Sequence, residues 1–278
     1  MKASPRIILA IVAATTVAAC GGDASVGLPS GDHLHSLGVT VDGDLLLGLH
    51  GGLYRSDDGT TWELVGLEGQ DAMVIASAQQ PMFIAGHEVF ARSDDGGSTF
   101  APLRPADLPG LDIHAFAQAP VDGRVIYAFV VGHGLFASND AGDTWELRAD
   151  LRVIPPDTFG LAVVGSDVDT LVVVGPESGV LRSEDGGRSF NRVSEVPTWA
   201  VAAVPATPSV LWALTGTGLA RSDDAGLTWQ STSGLEELDG QPLALAVGPA
   251  ALWVATEDPR ALYSSTDDGA TWELVTGS

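Results

Sequence analysis

The chain runs to 278 residues with a single cysteine, 34 glycines, and 13 Lys and Arg against 36 Asp and Glu, a formal net charge of −23. So acidic a surface repels nucleic acid and anionic headgroups, and suits cations, basic partners or neutral glycans. One cysteine rules out a disulfide framework and a thiolate metal site.

Residues 1–19 read as an export signal. Lys2 and Arg6 make a positive start, and residues 7–19 form an apolar run shorter than the ~20 residues a membrane-spanning helix needs. Val17-Ala18-Ala19-Cys20 resembles a bacterial lipobox. That resemblance implies that Cys20 becomes the lipidated first residue of the mature protein. The body would then lie outside the cytoplasmic membrane, anchored to the cell envelope and touching lipid through the anchor only. A plain secretion signal ending on a chance cysteine is the alternative. Residues 20–32, rich in Gly, Ser and Asp, read as a flexible tether. Residues 33–278 read as the folded body.

An eight-residue pattern, Ser-x-Asp-x-Gly-x-Thr-aromatic, then recurs. It occupies residues 93–100, 138–145, 222–229 and 265–272, and 183–190 with Ser189 in the Thr place; residues 56–62 form a copy one residue short. The closing aromatics, Trp62, Phe100, Trp145, Phe190, Trp229 and Trp272, fall 38 to 45 residues apart. A period of that length marks stacked units, none able to bury its apolar face alone. Within each copy, Ser and Asp side chains accept backbone N–H bonds across a tight turn, Gly permits positive φ, and the aromatic pins the hairpin. The pattern assigns Asp57, Asp95, Asp140, Asp185, Asp224 and Asp267 as structural aspartates. Calcium is the weaker reading, because one or two carboxylates fall short of the roughly six to eight oxygens it takes. Arg55, Arg92, Arg182 and Arg221, each just before a copy, read as third-strand surface residues, not as an anion site.

Between copies the sequence predicts four short strands per unit. In the first unit these fall at 35–40, 45–49, 53–56 and 61–65, and the same order restarts at Ala72, Ile113, Phe159, Trp199 and Leu243. Runs such as Leu171-Val172-Val173-Val174 are apolar on both faces, as a sheet packed between two neighbours requires. No amphipathic helix is evident. The repeat resembles the Asp-box, or BNR repeat, of sialidases, sortilin-type receptors, xyloglucanases and photosystem II assembly factors. That resemblance implies an all-β, six-bladed β-propeller, here a monomer, and leaves function open because the relatives do different things on one scaffold. How the ring closes is open too, since neither end offers a clear spare strand.

All six histidines lie between residues 33 and 133. His50, His87 and His133 follow the second strand of units one to three, while His35 and His114 open first strands and His33 shares a face with His35. Strand order puts these places on the side of the disc opposite the repeat turns, with His35 and His114 nearest the axis. His35, His50, His87, His114 and His133 are therefore candidate ligands of a transition metal, copper, zinc or nickel, with Asp32, Glu88 and Asp112 nearby. A histidine acting as acid or base in a pocket is a second use. The bland alternative is that they cap strand ends. The segments 33–37, 49–54, 85–87 and 112–115 are similar to bacterial secreted BNR proteins labelled glycosylhydrolases, which makes a glycoside hydrolase the rival to a non-catalytic module binding a protein or glycan. A sialidase is disfavoured: its Phe/Tyr-Arg-Ile-Pro segment is missing, and Arg104, Arg148, Arg152 and Arg192 form no recognisable carboxylate-binding set. Trp199 opens a first strand and is a candidate sugar-stacking platform on the axis, while packing between blades is the favoured reading for Trp199, Trp212 and Trp253 alike.

Overall fold

A computed structural model of the chain describes residues 25–30 and 33–277. The export signal, the lipidation candidate Cys20, Asp32 and most of the tether lie outside the described residues. Among the described residues no helix is long and apolar enough to cross a membrane.

The fold is a six-bladed β-propeller. Each blade is an antiparallel sheet of four consecutive strands, and blade one carries a fifth. The inner strands are Leu34–Val39, Val74–Ala76, Ile113–Ala119, Gly160–Val163, Thr198–Val204 and Gln241–Val247. Blade one runs Leu34–Val39, Leu45–Leu49, Gly52–Ser56 and Thr61–Gly66, within a residue of expectation. Its second strand is buried throughout, as is Leu171–Gly175 in blade four. Six apolar clusters fill the six seams between blades. Phe83 and Phe90 pack against Phe116 and Ile126, for example, and Leu37 and Leu47 against Ala244 and Leu262. Each such buried Leu, Ile or Phe is worth about 1.5–3 kcal/mol against leaving it in water.

The repeat turns work as their chemistry predicts. In blade three, Ser138 Oγ accepts from Gly142 N at 2.9 Å, and Asp140 accepts from Thr144 N at 2.9 Å and Thr144 Oγ1 at 2.6 Å. Trp145 Nε1 donates to Gly142 O at 3.0 Å. Both carboxylate oxygens are thus engaged by protein donors. Blade one needs a correction. The aspartate that closes its turn is Asp58, which accepts from Thr60 N at 2.7 Å and Thr61 N at 2.8 Å, while Asp57 is exposed. This copy is short because it uses one left-handed residue, Gly59, where blade three uses Ala141 and Gly142 in succession. The carboxylate still sits two residues after the serine, as in every other copy.

The arginines before the turns lie in third strands, as expected, but are half-buried and not free at the surface. Arg55 donates to Gly96 O at 3.2 Å, Arg92 to Ala141 O at 3.3 Å, Arg182 to Ala225 O at 2.8 Å and Arg221 to Asp268 Oδ2 at 2.8 Å. Each grips the turn of the following blade, so these residues tie neighbours together.

Closure needs no strand exchanged between the two ends, because blade six is built wholly from late strands. Ser25–Val26 pairs on the outer edge of blade one against Trp62 and Thr61. Leu28 then enters the seam between blades one and six, and Arg260 Nη1 donates to Pro29 O at 2.6 Å.

Candidate functional site

Around the axis, six residues at or near the start of the inner strands line the central channel: His35, Met73, His114, Phe159, Trp199 and Leu243. Register explains the alignment. His35, His114, Trp199 and Leu243 each sit where the inner strand slips against its partner, between Leu34 and Ser36, Ile113 and Ala115, Thr198 and Ala200, and Pro242 and Ala244. A bulge of this kind re-aims one side chain out of the pleat. The channel is a cavity of about 340 Å³. Among its lining residues are His35 and His114 from blades one and three, and Phe159, Trp199 and Leu243 from blades four to six. Trp199 lines it with its Nε1 buried without a partner, and also packs against the seam between blades five and six. Trp212 packs in the seam between blades five and six, and Trp253 between blades six and one.

The histidine side holds two groups of potential metal ligands: His35, His50 and Asp71, and His87, Asp112 and His114. Asp71, which sequence reasoning passed over, joins them. Its Oδ2 is 2.6 Å from His87 Nδ1 and 3.4 Å from His50 Nδ1, and its Oδ1 is 3.2 Å from His35 Nε2. In the second group, His87 Nε2 is 3.1 Å from His114 Nε2 and 3.5 Å from Asp112 Oδ1, which is 3.1 Å from His114 Nε2. A carboxylate only accepts, so in the neutral ring the Asp71 contact places the His87 proton on Nδ1 and leaves the Nε2 lone pair facing His114 and Asp112. Burial is the largest influence on His35 and on His114, and it holds both below the ordinary histidine pKa despite Asp71 and Asp112. Both rings therefore favour the neutral, ligating form.

Asp71 is held by backbone contact. It sits in the connection from blade one to blade two, and Ala72 N donates to Leu49 O at 3.2 Å. A Cβ on Gly86 would meet Asp71 O at 2.1 Å, and one on Gly48 would meet Ala72 O at 2.1 Å. Two glycines thus let this connection lie directly against the second strands that end in His50 and His87. A signal for Asp71 did exist. Asp71, Asp112 and Asp157 each stand two residues before a channel residue, Met73, His114 and Phe159. In blade four, Asp157 Oδ2 accepts from Glu177 N and Ser178 N, both at 2.8 Å.

His133 is not brought to the site. His50 and His87 follow their strands at once, but three residues, 131–133, separate Val130 from Gly134, and the added length leaves His133 exposed. His33 is largely exposed, with its Nδ1 3.8 Å from Glu257 Oε2. Glu88 is exposed and belongs to neither group.

Fold and face together define a six-bladed propeller with a histidine–aspartate cluster at one rim of its channel. No family model matches the chain. It is 31% identical over 205 residues to a xyloglucanase of Hypocrea jecorina (strain QM6a), a match covering 70% of this chain and 23% of that protein. Among solved structures it resembles the GH74 xyloglucanase of Xanthomonas campestris, with a TM-score of 0.60, 19% identity, and coverage of 90% of this chain and 46% of the other. It also resembles YCF48 from Cyanidioschyzon merolae, with a TM-score of 0.54, 18% identity, and coverage of 90% and 86%. The chain therefore spans under a quarter of the curated relative and under half of the GH74 structure. These likenesses to solved structures establish the fold.

Proposed function

We propose that this protein is a non-catalytic binding module of the cell envelope, working through the channel mouth opposite the repeat turns, with a zinc or copper ion at the centre of that site. His87 Nε2, His114 Nε2 and Asp112 Oδ1 would hold the ion. The observation that carries this reading is their mutual spacing of 3.1, 3.1 and 3.5 Å. Ligands about 2.0–2.1 Å from a tetrahedral ion stand roughly 3.3–3.4 Å apart, so these atoms already have the spacing of three corners. Asp71 on His87 Nδ1 supplies the outer carboxylate that orients and strengthens a metal-bound imidazole. The fourth position is left to a group from the partner. Phe159, Trp199 and Leu243 on the far rim offer apolar or stacking contact to a protein segment or a glycan. Export and lipid attachment at Cys20 belong to the same reading, and rest on residues 1–20.

The likeness to a xyloglucanase favours a second reading, a glycoside hydrolase acting on extracellular glycans. Such chemistry needs two carboxylates across a cleft.

The two readings separate in one experiment. Purified protein is analysed for bound metal, titrated with Zn(II) and Cu(II), and incubated with xyloglucan under a reducing-sugar assay. Stoichiometric metal that His114→Ala loses, with no sugar released, is the expected result. Released reducing ends that survive metal removal would support the hydrolase instead, and no bound metal would remove the ion from the reading.

A further inference from the structure

We infer that His35 Nε2, His50 Nδ1 and Asp71 form a second transition-metal site, coupled to the first through the Asp71 carboxylate. The inference rests on the metal reading above and extends it from one ion to two.

Three observations carry it. Asp71 is about nine-tenths buried, and its Oδ1 has no hydrogen-bond partner. The atom it faces at 3.2 Å, His35 Nε2, is buried and unpartnered as well. The two atoms lie within reach of each other without forming an aligned hydrogen bond, and a cation between them satisfies both at once. His50 Nδ1, 3.4 Å from Asp71 Oδ2, completes the group, on a half-exposed ring through which an ion can enter. Two imidazole nitrogens and one carboxylate select Zn(II), Cu(II) or Ni(II) over Mg(II) or Ca(II), which take oxygen ligands.

Coupling follows from the way Asp71 divides its oxygens. Oδ1 points at His35, in the second site, while Oδ2 accepts from His87 Nδ1, whose other nitrogen serves the first. One carboxylate is thus a ligand in one site and the orienting group of the other. Removing it damages both, whereas removing His35 or His50 damages one.

The test is a zinc titration of the full chain by calorimetry, paired with elemental analysis after dialysis and with Co(II) absorption spectra. Wild type is expected to bind two equivalents. His35→Ala and His50→Gln each bind one, and His114→Ala binds one with the other site's spectrum. Asp71→Asn loses the second site and binds at the first about 10–100-fold more weakly. Thermal melts confirm that each variant is folded, and His50→Gln, at a half-exposed position, serves where His35→Ala is not. One equivalent in wild type, lost in His114→Ala, would overturn the second site and leave the first standing. No binding would overturn both. Two equivalents that His35→Ala and His50→Gln leave unchanged would place the second ion elsewhere and sink the inference.

Discussion

At the scale of single residues, the site depends on what is missing as much as on what is present. Gly86 has no Cβ, and that absence lets Asp71 O approach to where one would stand, 2.1 Å away. Gly86→Ala should push the connection outward and move the Asp71 carboxylate off His87. The expected loss is about 1–3 kcal/mol of folding stability, from a forced close contact with backbone. Metal affinity should fall with it. Denaturant melts and zinc titration of the same variant check both, and an unchanged titration would show that Asp71 is not positioned from this point. Legibility divides along the same line. His50 and His87 were found because they recur at one place in the repeat, and His35 and His114 because they open inner strands. Asp71 resembled one more turn aspartate in an acidic chain, and its partners lie in three different segments. His133 was misplaced because repeat alignment does not register a turn longer by one residue.

At the scale of the element, the repeat turn is a self-contained acid-sensitive device. Hydrogen bonds from threonine hydroxyls and backbone N–H groups pull Asp95, Asp140 and Asp267 down to about 2, from an ordinary 3.8. Asp185, which burial alone would raise, is brought to about 2 by Ser189, Ser183 and backbone donors. Asp58 and Asp224 are lowered for the same reasons, chiefly by Thr60 and Thr228. A depressed folded-state value means that the unfolded chain takes up the proton first as acid is added. The stabilisation is therefore complete above about pH 4 and is lost as pH falls through about 2. Thermal midpoints measured from pH 5 to pH 2 should drop in that window, and Asp140→Asn should make the drop shallower. Midpoints flat across the window would mean that the turns contribute nothing. The six turns were legible because every partner lies within four residues. The short first copy carries two adjacent aspartates, and the reading took Asp57 for the place that Asp58 fills. The arginine ties could not be read, because each grips a turn about 40 residues further along, in the next blade.

At the scale of the whole molecule, six seams hold the ring, and one of them must join the two ends of the chain. Among the described residues no strand crosses that seam; the segment from Ser25 to Pro29 and the Arg260 guanidinium span it, the latter reaching both Glu257 and Pro29 O. Arg260→Ala should cost about 1.5–3 kcal/mol, the usual worth of hydrogen bonds from a charged donor. Cleavage by an added protease should begin within residues 25–30 before the rest of the ring is attacked. Limited proteolysis followed by mass spectrometry reads this directly, and cleavage that starts elsewhere would place the weak seam in another blade. The channel rim has a further consequence. Repetition makes six equivalent positions, yet this sequence puts His35 and His114 on one arc, with Met73 between them, and Phe159, Trp199 and Leu243 on the opposite arc. A ring whose backbone looks the same after each sixth of a turn thereby acquires a north and a south. An elongated guest with unlike ends can lie across it in only one sense.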